Sequence, residues 1–333
     1  MREVAAGIFM ITERGAFGAL KPPVNIYVLP GPDGIIFDAG YGDPGSVRHF
    51  VREFRKLESM YAGGSGFRIT RIIPSHVHPD HFSGLRALRA SLGVPVALTA
   101  KMASIVSSGE RYRASYQRGD SIFGDVANSP LRQLLYRAAA PLVHRYYVKL
   151  FGINFLPDPD LIIAERGPLI INSEEWCIFP SPGHADDHIS LYHEGRGVLF
   201  SGDNVLRGVT SWLGPPKSHL MDYIASLEEM LALPRLELIL SAHGSPVTDP
   251  RGRIRELIAW RRKRIEDVWA ALRSYGGKGA TVRQLLRTLY PGGGGVKRMM
   301  AEGWVVLTLR HLVNAGRAES DEGSPTRFFA GRA

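Results

Sequence analysis

The chain has 333 residues, 44% of them hydrophobic and 22% charged, enough for one large domain with a buried core and a smaller companion. Its N-terminus, MREVAAGIFMITERG, lacks the apolar core and cleavage site of a secretory leader, no run of about 18 apolar residues suggests a membrane span, and Cys177, the only cysteine, excludes an intramolecular disulfide; a cytoplasmic protein with no membrane partner is expected. The net charge of +9 is concentrated in residues 251–333, which carry 17 Lys/Arg against 7 Asp/Glu, whereas residues 1–250 carry 24 against 25. Two domains, 1–250 and 251–333, are therefore expected, the second attractive to an anionic partner such as RNA.

In chain order, NIYVLP and GIIFDAG flank GPDG and read as a hairpin. RITRIIPSH reads as a buried strand that delivers the stretch SHVHPDHFSG, Ser75 to Gly84, at its C-terminal end. Helical spacing follows at Leu85, Leu88 and Leu92, with a stop at Gly93, and PVALTA reads as another strand. Residues 101–163 interrupt the pattern; SPLRQLLYRAAAPLVHRYYVKLFG opens with a Ser–Pro helix start and reads as an inserted helical subdomain, packed on itself or serving as an apolar lid. EWCIFPSPGH, HISLYHEGRGVLFSGD and LELILSAHG are strands that each end in polar residues, and MDYIASLEEMLALP between the last two is an amphipathic helix. Cys177 on the first of these strands reads as a packed core thiol. The tail reads as three helices and a Gly-Ser-Pro hairpin, the plan of a winged-helix domain; its PGGGG break lacks the features of a phosphate-binding loop and is a connector.

SHVHPDHFSG places three histidines and an aspartate in six positions. On an extended segment His76 and His78 point the same way and can share one ion, while Asp80 and His81, beyond the bend at Pro79, face a second point. Four ligands cannot complete two sites, so more are required at other strand ends. His184 in SPGHADDHIS, Asp203 in LFSGDNV and His243 in LSAHGS meet that requirement, each after an apolar run and beside a glycine or small residue. His188, four residues after His184 and able to share a helix face with it, reads as a hydrogen-bonding group behind the ligands.

The order His76, His78, Asp80, His81, then His184, Asp203 and His243, resembles the metallo-β-lactamase superfamily of hydrolases, and Asp38 in IIFDAG matches that family's early structural aspartate. The resemblance implies an α/β protein, an αββα sandwich over about residues 1–250 carrying the insertion, with the site along one edge. It implies that His76, His78 and His184 hold one metal ion, that Asp80, His81 and His243 hold a second, that Asp203 bridges them, and that Asp38 supports the metal loop from behind. Zinc suits the ligands, and iron or manganese would fit the same set. A water shared by two such cations becomes the attacking hydroxide, with Asp80 as the catalytic residue that orients it or shuttles its proton.

The β-lactamases proper lack the bridging aspartate, which sets antibiotic hydrolysis aside. PGHADDHISL, the helix before SAHGS and the tail are most similar to the lactamase-β-like protein 2 group, close to glyoxalase-II-like thioesterases; that group includes endoribonucleases specific for single-stranded RNA. A small-molecule ester or thioester is the expected substrate, because the insertion narrows the groove a polymer needs. The alternative is an RNA phosphodiesterase using the basic tail. A non-catalytic metal sensor is a third reading, which the intact ligand set argues against.

Overall fold

The computed structural model describes residues 1–14, 21–61, 66–116, 146, 148–321, 323 and 325–331. Two five-stranded sheets form the centre. The first runs in the order β1 (Arg2–Ala5), β2 (Ile8–Glu13), β3 (Val24–Leu29), β4 (Gly34–Phe37), β5 (Ile69–Ile73), with only β4 and β5 parallel. The expected GPDG hairpin is β3–β4, with Leu29 opposite Ile35. The second sheet runs β12 (Leu238–Ser241), β11 (Val198–Gly202), β10 (Ile189–His193), β9 (Glu174–Pro180), β8 (Gly167–Ile171), with β11 and β12 parallel.

Alternation along the second sheet assigns its faces. Trp176, Ile178, Ile189, Leu191, Val198, Phe200 and Leu240 point inward and share one core with the first sheet. Phe200 joins the sheets, its ring 5.1 Å from Tyr27, 5.2 Å from Phe37 and 5.6 Å from Trp176. Phe179, Tyr192, Leu199 and Ile239 point outward into a second cluster. Helices α1 (Pro44–Met60) and α3 (Leu85–Leu92) cover the first sheet with Phe50, Phe54, Leu57, Leu85 and Leu88; α2 (Pro79–Phe82) is a single turn between them and carries Asp80 and His81. The helix α6 (Leu220–Ala232) covers the second sheet with Tyr223, Ile224, Leu227 and Met230. The result is the mixed α/β sandwich that the motif order implies.

The stretch 101–163 departs from its expectation at both described ends. The helices α4 (Ala100–Val106) and α5 (Gly109–Tyr116), and the segment with Phe151, Ile153 and Leu156, contribute to the main core rather than to one of their own. Its last three residues are a strand, β7 (Leu161–Ile163), parallel to β6 (Ala97–Thr99), because Ala97 and Leu161 start a common register. The Leu- and Tyr-rich helix expected at 129–152 lies largely outside the described residues.

Residues 250–331 form α7 (Pro250–Arg273), α8 (Val282–Leu289), α9 (Gly295–Asn314) and the antiparallel pair β13 (Ala318–Ser320) and β14 (Phe328–Ala330). The last helix starts well before the expected GWVV, directly after the glycine run, where Arg298 reaches back to the carbonyl of Tyr290 at 3.0 Å. The outward cluster of the second sheet continues without a break into Ile254, Ile258, Leu285, Trp304 and Leu309. Cys177 is exposed, not packed: it alternates with the buried Trp176 and Ile178 on β9 and faces away from the inner core. Partial burial nonetheless raises its thiol above the usual pKa, which disfavours the thiolate.

Glu13 ends β2 fully buried; its Oε2 accepts from the Tyr41 N–H at 2.9 Å and its Oε1 has no hydrogen-bond partner among the described residues. Burial, reinforced by Asp43, pushes its carboxyl up to about 8 against the opposing Tyr41 N–H and Lys21. Between the ordinary carboxyl range and that value the folded chain holds a proton that the unfolded chain has released, so stability falls as pH rises across the window. Glu13→Gln keeps an acceptor for Tyr41 without that liability. Its stability is expected to exceed the wild type's increasingly from about pH 5 to about pH 8, by on the order of 1–3 kcal/mol at the upper end, read as a widening gap in melting temperature; parallel melting profiles would refute the assignment.

Candidate metal centre

Every residue singled out for metal chemistry sits where a strand ends on one edge of the sandwich. Asp38 follows β4, the HVHPDH segment follows β5, His184 follows β9, Asp203 follows β11 and His243 follows β12. The two sheets are stitched together there: Asn25 of β3 donates through Nδ2 to the carbonyls of Ser241 at 3.0 Å and Gly244 at 2.8 Å, and Tyr27 Oη donates to Ser241 at 2.7 Å. That fixes the loop bearing His243 against the first sheet.

Three ligand groups converge: His76, His78 and His184; His76, His81 and Asp203; and Asp80, His81 and His243. His78 Nδ1 stands 2.9 Å from His76 Nε2 and 2.8 Å from His184 Nε2. Asp203 faces both sides, with Oδ2 at 3.4 Å from His184 Nε2 and Oδ1 at 3.3 Å from His243 Nε2 and 3.7 Å from His81 Nε2. Asp80 lies 3.4 Å from His243 and 3.7 Å from His81.

The far side of four of these five rings is also held. His184 Nδ1 donates to the Trp212 carbonyl at 2.8 Å, with Ser211 Oγ at 3.0 Å, and His243 Nδ1 donates to the Pro23 carbonyl at 2.6 Å. His81 Nδ1 is 3.2 Å from Asp38 Oδ2, and His76 Nδ1 is 3.0 Å from Ser75 Oγ. With the proton on Nδ1, Nε2 of His81, His184 and His243 presents a lone pair to the centre.

Electrostatics divides the cluster in two. Burial holds His76 well below its ordinary pKa, pulls His78 down to about 3 and lowers His184, so these three are neutral imidazoles. Burial also opposes charge on His81 and His243, but the carboxylates of Asp38, Asp80 and Asp203 raise His81 to about 9, and Asp203 and Asp80 raise His243. Burial would raise Asp80, yet His81 and His243 bring it down to about 2. The second half is thus a nest of carboxylates that demands positive charge.

A divalent cation fits these residues. His78 Nδ1 cannot satisfy two facing Nε2 atoms by hydrogen bonding, and His81 Nε2 and Asp203 Oδ1 are buried with no hydrogen-bond partner among the described residues. Nitrogen and oxygen donors aimed at common points, with their outer atoms anchored, are a coordination set for a borderline metal.

His188 does not share a helix face with His184, because residues 184–188 form a turn. Its Nε2 accepts from the Asp203 N–H at 3.2 Å, and its Nδ1 pairs with Ser181 Oγ at 2.8 Å. A Cβ on Gly202 would collide with His188 Nε2, so only glycine lets the Asp203 turn pass so close. Sequence reasoning missed Asp187, which is buried and accepts the Val77 N–H at 2.8 Å, clamping the backbone between His76 and His78. The doubled aspartate of HADDH is its signal. Ser211 and Trp212 carry none, since Trp212 acts through its carbonyl.

The fold and the ligand set are those of a metal-dependent hydrolase. The family model of the metallo-β-lactamase superfamily matches residues 21–243, from just before β3 to His243, and the chain belongs to that superfamily. It is 32% identical over 279 residues to the probable metallo-hydrolase YqjP of Bacillus subtilis, covering 80% of this chain and 81% of that protein. It is 23% identical over 234 residues to the acyl-coenzyme A thioesterase MBLAC2 of Bos taurus, covering 70% and 75%. A metallo-β-lactamase family protein from Thermus thermophilus shares the fold at a TM-score of 0.72 and 23% identity, covering 98% of this chain and all of that one. No helix among the described residues is long and apolar enough to cross a membrane.

Proposed function

We propose that the chain is a dinuclear hydrolase of small-molecule thioesters or esters. The observation that carries the dinuclear reading is Asp203, whose two oxygens are directed to the two halves of the cluster. His76, His78 and His184 would hold one divalent ion and Asp80, His81 and His243 the other, zinc being the ion that suits these donors and iron or manganese the alternatives. Bound there, such ions supply a water of lowered pKa and positive charge for a developing oxyanion. Asp80, held ionised between His81 and His243, would orient the attacking water or shuttle its proton. Asp38, His188 and Asp187 keep the ligand loops in register.

The thioester reading is supported by the thioesterase relative and by how the tail's charge is used. Arg251 donates to the Leu233 carbonyl at 2.6 Å and Arg253 to Leu206 at 2.8 Å, so these two cations serve packing rather than a phosphate backbone. Metal analysis should find about two ions per chain. In a panel of thioesters, esters, phosphodiesters and single-stranded RNA, thioesters should turn over fastest. Asp80→Ala should lower that rate by about 10²-fold or more. RNA cleavage without thioester turnover would replace this reading, and full activity in Asp80→Ala would remove the role of Asp80.

A further inference from the structure

The C-terminal helices reach the loop behind His184. Residues 206–214 carry Ser211 and Trp212, which hold Nδ1 of His184. Arg253 of α7 donates to the carbonyls of Leu206 at 2.8 Å and Val209 at 2.6 Å at the start of this loop. Arg261, further along the same helix, donates through Nη2 to the Ser211 carbonyl, immediately behind the groups that hold His184. On the other side Gly303 of α9 lies so close that a Cβ there would stand 2.6 Å from the Leu213 carbonyl.

Arg261 is an unusual group to find there. It is 2% exposed, its Nε has no hydrogen-bond partner among the described residues, and its charged neighbour is another guanidinium, Arg264. Among the described residues it has no carboxylate partner but the faces of Tyr223 at 5.2 Å and Trp260 at 4.8 Å. Tyr223 in turn donates through Oη to the carbonyl of Asn204 at 2.7 Å, the residue after Asp203. A buried cation without a carboxylate is costly, and an apolar side chain of similar size would serve the core as well or better. Its place is explained by what it holds: the His184 loop directly, and the Asp203 turn through Tyr223.

We propose that Arg261 is a positioning residue for the half of the centre built on His184, and that α7 and α9 act as the rear wall of that half. The inference rests on the dinuclear reading above. It predicts a separation that a packing role would not produce. In full-length Arg261→Met, the metal-free protein should melt no lower than wild type, because an unpaired buried charge has been removed. One of the two zinc ions should nevertheless be held about tenfold more weakly, the low end for groups behind metal ligands. The other ion, on Asp80, His81 and His243, should be weakened less, because only the Asp203 turn ties it to Tyr223, and the turnover number should fall while KM stays.

Zinc release to a chromophoric chelator, recorded for wild type, Arg261→Met and Gly303→Ala, tests this. Gly303→Ala presses on the same loop from α9 and should weaken the same ion. Two zinc phases identical to wild type in both variants would overturn the proposal. So would a metal-free Arg261→Met that melts well below wild type, with both ions weakened equally, since the guanidinium would then serve the core. A wild type that binds a single zinc would sink the dinuclear reading instead; whether that ion loosens in Arg261→Met would still decide the role of Arg261.

Discussion

Asp203→Asn is expected to reduce hydrolysis by about 10³-fold or more and to leave no more than one metal ion per chain. The substitution preserves volume and the backbone N–H that meets His188 at 3.2 Å, so the turn after β11 should survive. What changes is charge and lone-pair geometry. Both carboxylate oxygens are engaged, one toward His184 and one toward His81 and His243. An amide offers one acceptor and one pair of hydrogens, so one half of the centre meets N–H groups where it requires an anion. The carboxylate is held ionised well below its usual range by His243 and His81 despite its burial, which shows how strongly that position is set up for negative charge. Metal analysis beside initial rates checks the prediction. Two ions and a rate within about tenfold of wild type would exclude a bridging role.

The legibility of this site in sequence has a physical source. Metal ligands must be polar groups at fixed points, and the rigid points of a sandwich are its strand ends, so apolar runs that stop at His or Asp mark them. His184, Asp203 and His243 are such cases, after β9, β11 and β12. The inner and outer faces of β10 and β11 are equally visible, because Leu191 and Phe200 alternate with Tyr192 and Leu199. Contact made by backbone leaves no such mark. Trp212 holds His184 with a carbonyl, which no side-chain pattern records. Nor does composition show how much of a strand's outer face the helices cover: Phe179 lies in the outward cluster, while Cys177, two residues earlier on the same face, reads as core and is exposed. The end of the stretch 101–163 is hidden for a related reason: Leu161–Ile163 is short and polar-flanked, and only its register with β6 makes it a strand.

The basic tail shows the same limit at a larger scale. Counting charge suggests a second domain, 251–333, attractive to an anionic partner. In the structure the outward cluster of the second sheet runs into α7, α8 and α9, and Arg253 and Arg261 sit on the carbonyls of the His184 loop. Charge that looks available in a sum is, at these residues, employed inside the fold.

Asp38 gives the sharpest separation of folding from chemistry. It is 1% exposed, adopts a left-handed φ of 68°, accepts the Ser75 N–H at 2.7 Å through Oδ1, and lies 3.2 Å from His81 Nδ1 through Oδ2. Asp38→Ala loses the acceptor for a buried N–H and puts a side chain without local hydrogen bonding at positive φ, so a destabilisation of about 2–4 kcal/mol is expected. Asp38→Asn tolerates the same φ, and its amide oxygen can still accept from Ser75, so the fold should be retained with a loss of about 1 kcal/mol or less. Its amide nitrogen, however, now faces His81 Nδ1 with hydrogens. The His81 proton is then driven to Nε2, the atom that would offer its lone pair to an ion shared with Asp80 and His243. The asparagine variant should therefore melt close to wild type without metal and bind one ion fewer, with activity reduced about 10²-fold. Thermal melts of the metal-free proteins beside zinc titration distinguish the two substitutions. An asparagine variant that binds zinc like the wild type would show that Asp38 supports the loop alone and leaves the tautomer of His81 to other groups.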